Sequence, residues 1–210
     1  MREQAQRFMK ESGLVAVIRG RFPLEHTLAV GETLAETGVT VLEVTLNSTD
    51  ALKAIGLLRE RLGKRALVGA GTVRTAAQLR QAIDVGAQFS VAPNLDLATV
   101  ELANAADVLH LPGVFTPTEV EQAHRAGCQV VKLFPAGSLG WSYLKALRAP
   151  LDDVLFVPTG GISAENIGAY RRAGAFACGI GGALVTDGTQ MLADLRERAR
   201  ALRVAWEVAV

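Results

Sequence analysis

Aromatic residues, cysteine, lysine and net charge are all scarce in this chain, and each shortage closes a class of readings. Seven Phe, two Trp and two Tyr among 210 residues leave the core to Ala, Val, Leu and Ile. A formal net charge of +1 supplies no broad field for nucleic acid or for an anionic membrane surface. No apolar stretch reaches the roughly 20 residues that a membrane span requires. Met1-Arg2-Glu3-Gln4-Ala5-Gln6-Arg7 reads as the polar start of a helix, without the apolar region of a secretory signal. Two isolated cysteines, Cys128 and Cys178, are each assigned to an expected strand. They read as buried free thiols, which suits a reducing cytoplasm. His26, His110 and His124 show no ligand spacing, so no metal and no cofactor is expected, and His110 reads as a core or rim histidine. No Ser-His-Asp or Cys-His arrangement stands out.

What is present is order. Four helix-like segments end in a glycine that leads straight into an apolar strand, at Gly38, Gly86, Gly127 and Gly174. Glycine at a helix C-terminus takes the left-handed conformation without steric penalty. Repeated joints of this kind mean repeated αβ units and a parallel sheet. The apolar runs place eight strands near 14–18, 40–46, 66–70, 88–91, 107–111, 129–134, 154–158 and 176–180. Amphipathic helices fall between them near 24–37, 49–61, 75–85, 96–105, 117–126, 139–148 and 164–173, with a last one near 189–207. An extra helix at 2–11 precedes the first strand and would cover the bottom of a barrel. The fold class expected is therefore α/β: a TIM-type (β/α)8 barrel with an extra N-terminal helix, one domain over 1–210. An open doubly wound sheet is the rival, weakened by the lack of Gly-x-Gly-x-x-Gly after the first strand.

Only five of the 22 basic residues are lysines, and one of them, Lys132, interrupts the apolar run Val130-Val131-Lys132-Leu133-Phe134. Desolvation disfavours the charged form of an amine, and an uncharged amine attacks a carbonyl carbon to form a Schiff base. The bland reading is a snorkelling or salt-bridged lysine at a strand end. Glu43 interrupts Val41-Leu42-Glu43-Val44 in the same way. Two lone charges in buried strands of one barrel should find each other, either as a structural salt bridge or as an acid/base beside a nucleophile. Active sites of such barrels lie at the C-terminal strand ends. There the sequence puts Arg19, suited to a carboxylate, with Asn47 and Thr72. Pro93 and Phe134 supply an apolar wall. Thr159-Gly160-Gly161 and Gly181-Gly182 follow the last two strands, where barrels often bind phosphate through backbone N–H groups. The alternative for these glycines is a tight turn that requires them.

Together these residues resemble the family of 2-keto-3-deoxy-6-phosphogluconate (KDPG) aldolase and 4-hydroxy-2-oxoglutarate (KHG) aldolase. The resemblance is carried by Val17-Ile18-Arg19, Leu42-Glu43-Val44-Thr45-Leu46, Val68-Gly69-Ala70-Gly71-Thr72-Val73, Pro112-Gly113 with Thr116-Pro117-Thr118-Glu119, Lys132-Leu133-Phe134-Pro135-Ala136 and Pro158-Thr159-Gly160-Gly161-Ile162. It implies a class I aldolase that needs no metal and forms homotrimers. Lys132 would be the Schiff-base lysine and Glu43 the acid/base, with Arg19 and Thr72 on the pyruvate carboxylate. The loops carrying Gly160, Gly161, Gly181 and Gly182 would take a distal phosphate. The expected reaction is reversible cleavage of a 4-hydroxy-2-oxo acid to pyruvate plus glyoxylate or glyceraldehyde 3-phosphate. The chain departs from the family pattern twice. Many phosphogluconate enzymes have Arg where Asn47 stands, and relatives carry a serine in the loop that here reads Gly181-Gly182-Ala183. Asn47-Ser48 is similar to the phosphogalactonate branch. A phosphate-binding barrel isomerase, a metal-dependent aldolase and a non-catalytic oxo-acid-binding barrel stay as alternatives.

Overall fold

The computed structural model describes residues 1–209; Val210, the last residue of the expected domain, lies outside the described residues. Helix α1 (Arg2–Ser12) precedes β1 (Leu14–Ile18), α2 (Leu24–Glu36), β2 (Val41–Thr45), α3 (Ala51–Leu62) and β3 (Leu67–Gly71). Next come α4 (Ala76–Asp84), β4 (Phe89–Val91), α5 (Leu97–Ala105), β5 (Leu109–Leu111), β6 (Gly113–Val114), α6 (Pro117–Arg125) and β7 (Val130–Leu133). A 3-10 turn at Ala136–Ser138, α7 (Gly140–Arg148), β8 (Leu155–Pro158), α8 (Ile167–Arg172), β9 (Cys178–Ile180) and α9 (Leu192–Glu207) complete the order.

All strand pairs are parallel, in the orders β5-β4-β3-β2-β1-β9 and β6-β7-β8. A parallel bridge between Thr159 and Gly179 joins β8 to β9 on one side. On the other, β5 and β6 are one stave of the barrel interrupted at Pro112, whose carbonyl accepts from the Lys132 N–H at 2.9 Å. The sheet thus closes into the expected eight-staved barrel. The fifth strand is expected unbroken to 111; Pro112, without an N–H, splits it from the short continuation at β6. The four predicted helix-to-strand glycines all have positive φ, from 82° at Gly38 to 95° at Gly127. Two helices are shorter than expected. Asn166 accepts from the Ser163 N–H at 2.9 Å and donates to the Gly161 carbonyl at 2.7 Å, which holds the chain before α8 out of a helix. Gln190 does the same before α9 by accepting from the Thr186 N–H at 3.1 Å. Cys128 lies in the turn before β7 rather than in a strand, while Cys178 opens β9; both are buried and free.

Side chains alternate across each strand. The outward set, including Leu42, Val68, Val131 and Phe156, packs under the helices. The inward set, including Val15, Val41, Leu67, Phe89 and Val130, fills the lower barrel, with Ala5 and Met9 of α1 packed against it from below. The lower barrel is therefore a plugged core, and the polar inward residues sit above it. No helix among the described residues is long and apolar enough to cross a membrane.

Candidate active site

Glu43 pairs in register with Val17 on one side and Gly69 on the other, and Lys132 pairs with Gly113 and Val157. By strand parity both point inward, two residues above Val41 and Val130 of the lower core. Glu43 is 2% exposed and Lys132 7%. Burial pushes the Glu43 carboxyl above the ordinary carboxylate range, opposed in part by the charges of Lys132 and then of Arg19. Three groups from β2, β7 and the end of β1 therefore share one electrostatic field.

The simple salt-bridge reading does not hold. Among the described residues, no ion pair within 4.0 Å joins Glu43 to Lys132. The Lys132 ammonium instead lies 4.9 Å from the centre of the Phe134 ring, a cation–π contact. Neither head group is among the sealed, unpartnered polar atoms. An acid and an amine that feel each other without closing a bridge are both available to a third molecule.

Glycine makes room for the inward groups themselves. A Cβ on Gly71 would stand 1.9 Å from Glu43 Oε1 and 2.6 Å from its Cδ. A Cβ on Gly179 would stand 2.3 Å from Thr159 Oγ1, and one on Gly113 2.3 Å from the Pro93 carbonyl carbon. At each of these inward positions a side chain would occupy space that the polar groups use. The sequence shows Gly71 only as part of the run Val68-Gly69-Ala70-Gly71-Thr72-Val73; the neighbour that explains it, Glu43, lies on the adjoining strand.

The other expected residues gather at the same end of the barrel with different exposures. Arg19 and Asn47 are exposed in the loops after β1 and β2, and Thr159 is 8% exposed where β8 meets β9. Thr72 is half-buried, directly after β3, with φ of 57°. A β-branched residue rarely adopts that conformation, and strain of this kind collects at functional sites. Pro93 and Phe134 are half-buried and share the wall of a cavity of about 450 Å3 with Leu95 and Phe115. The two glycine pairs divide. Gly160 and Gly161 have φ of 91° and 76°, so the turn itself requires them. Gly181 and Gly182 have ordinary backbone, and a Cβ on either would meet nothing within 4 Å. Their glycines answer no steric demand inside the chain, and they leave the backbone bare.

A family model for KDPG and KHG aldolase matches residues 5–198. The chain belongs to the KDPG and KHG aldolase family. It is 39% identical over 198 residues to a probable 2-dehydro-3-deoxy-6-phosphogalactonate aldolase of Rhizobium meliloti, covering 94% of this chain and 92% of that one. It is 36% identical over 160 residues to the KHG/KDPG aldolase of Escherichia coli K12, covering 76% and 74%. Its fold matches a KDPG aldolase of Legionella pneumophila with pyruvate captured as a covalent carbinolamine. That match has a TM-score of 0.84 at 28% identity and covers 99% of this chain and 98% of the other. This aldolase is thus a carbon–carbon lyase by family.

Outside the mouth, His110 points away from the barrel interior and accepts from or donates to Ser90 Oγ at 2.8 Å through Nδ1. Burial holds its pKa down to about 4, with Asp96 pulling weakly the other way. It belongs to the layer between strands and helices, as the core reading expected.

Proposed function

We propose that this aldolase cleaves a 4-hydroxy-2-oxo acid to pyruvate and an aldehyde through a Schiff base on Lys132. The observation that carries the proposal is the pair of inward, unbridged charges at the C-terminal end of the barrel, Glu43 on β2 and Lys132 on β7. After the Lys132 ammonium gives up a proton to water, its Nζ adds to the C2 carbonyl carbon, and the resulting carbinolamine loses water to give the iminium. Glu43, whose carboxyl is pushed above the ordinary carboxylate range by burial, protonates the departing hydroxyl. With the C4 hydroxyl proton taken up by the Glu43 carboxylate, the C3–C4 bond breaks. Its electron pair moves into the iminium and leaves the enamine of pyruvate, while C4 departs as the aldehyde. Protonation at C3 and addition of water then release pyruvate and restore the amine.

Arg19 and Thr72 hold the carboxylate end of the substrate, and Asn47 adds a neutral contact there. Pro93 and Phe134 line the apolar side of the pyruvate carbons. Thr159 with Gly160, Gly161, Gly181 and Gly182 receives the far end of the aldehyde. The bare backbone at Gly181 and Gly182 favours a phosphate there despite the missing serine hydroxyl, because N–H groups can supply the contacts. Asn47-Ser48 and the similarity to a phosphogalactonate aldolase favour 2-dehydro-3-deoxy-6-phosphogalactonate beside the gluconate epimer and 4-hydroxy-2-oxoglutarate. The same reading makes 1–210 a single catalytic domain, assembled as a homotrimer and working in the cytoplasm. Exposed Leu139 and Trp141 supply apolar surface for such an assembly.

Borohydride reduction in the presence of pyruvate, followed by intact mass and peptide mapping, tests the proposal. A stable pyruvyl adduct on Lys132, absent from Lys132→Ala along with turnover, is the expected result. A folded protein that takes up no label at saturating pyruvate, or full activity in Lys132→Ala, would remove the Schiff base. Rates with glyoxylate against glyceraldehyde 3-phosphate then rank the aldehydes.

A further inference from the structure

Arg19 is exposed, and among the described residues no ion pair holds its side chain. A long side chain with nothing gripping it loses considerable rotamer freedom when it binds, so its reach depends on where its backbone is fixed. That backbone is held at the next residue. The Gly20 N–H donates to Ser48 Oγ at 3.1 Å, and the Gly20 carbonyl accepts from the Thr49 N–H at 3.4 Å. The other face of Gly20 lies against the buried Phe22 ring, where a Cβ would come within 2.3 Å of two ring carbons. The peptide after Arg19 is therefore pressed on one side and hydrogen-bonded on the other.

The Ser48 hydroxyl is itself held. It lies 2.9 Å from Thr45 Oγ1, and the Ser48 N–H donates to the Thr45 carbonyl at 2.9 Å. Thr45 is 2% exposed and stands two residues beyond Glu43, on the same inward face of β2. The strand that carries the acid thus also anchors the loop that carries the arginine.

We propose that Ser48 is a positioning residue for the substrate carboxylate: its hydroxyl, oriented by Thr45, fixes the Arg19–Gly20 peptide so that the guanidinium meets a 2-oxo acid. The role rests on the reading of Lys132 and Arg19 given above. It makes Ser48 matter for recognition of charge and not for the covalent step. Asn47, the neighbour of Ser48, brings no charge to this loop, so the geometry of Arg19 carries more of the selectivity.

The test is borohydride trapping on Lys132 at graded concentrations of pyruvate and, separately, of methyl pyruvate, which offers the same ketone without the charge. In Ser48→Ala the half-saturating pyruvate concentration should rise about tenfold, as expected when one charge-assisted hydrogen bond goes out of alignment. That for methyl pyruvate should stay within about twofold by the same arithmetic. Ser48→Thr keeps the hydroxyl and should restore the pyruvate value. Thr45→Val, which removes only the orienting hydroxyl, should shift pyruvate in the same direction and by less. Equal weakening of both ketones in Ser48→Ala, or an unchanged pyruvate value, would overturn the positioning role while the Schiff base stands. Wild-type protein that traps neither ketone would overturn the Schiff-base reading and the role of Ser48 with it.

Discussion

Gly71→Ala adds one methyl group against the acid of the site. The new Cβ would stand 1.9 Å from Glu43 Oε1, whereas ordinary contact begins at 3.4 Å. The carboxylate must therefore withdraw by about 1.5 Å, because β2 and β3 are locked in register at Glu43–Gly69 and Thr45–Gly71. Misplacing a reacting group by about 1 Å lowers the rate roughly 100-fold, or about 2.7 kcal/mol at the barrier. The expected result is a fall in kcat of about 100-fold or more, with the pyruvate adduct on Lys132 still trapped by borohydride. Gly71 has ordinary backbone, so the fold should tolerate the change with an overpacking penalty of about 1–3 kcal/mol. The control is the same substitution on a Glu43→Ala background. There the obstructing atoms are gone, so Gly71→Ala should have almost no further effect on the residual rate. An equal loss in both backgrounds would show that the methyl acts elsewhere and would refute the argument from Glu43.

Two further outcomes follow from strain and burial. His110 titrates at about 4 in the folded chain against 6.5 when unfolded, so the unfolded state binds the extra proton between those values. Its contribution to stability is complete above pH 6.5 and falls by roughly 3 kcal/mol as pH drops to 4. Urea titrations at several pH values should show that loss shrinking in His110→Asn, which keeps a polar partner for Ser90 and does not titrate; an unchanged slope would rule out His110 as its source. Thr72→Gly should release the strain of a left-handed threonine, a net gain of about 1 kcal/mol and about 2–4 °C in Tm. The same variant should need more pyruvate for half-saturation, because its hydroxyl is gone. A lower Tm would show that no strain is stored at that position.

The sequence alone determined the succession of strands and helices, because its signals are local. Glycines at 38, 86, 127 and 174 stop helices through a backbone conformation that only they adopt freely, and the apolar runs between them exceed what an exposed strand tolerates. It also marked Glu43 and Lys132, since an isolated charge in such a run stands out without any partner in view. Which face those charges occupy was not legible, because strands buried on both sides lose the alternation that would reveal it. Closure of the barrel settled it by placing β2 and β7 around one interior, with both charges buried and unbridged. The tertiary structure likewise decided why Gly71 is glycine, why Gly160-Gly161 and Gly181-Gly182 differ, and how Ser48 holds the arginine loop. Each of these is a contact between strands or loops distant in sequence, and steric fit of that kind exists only once the chain has closed.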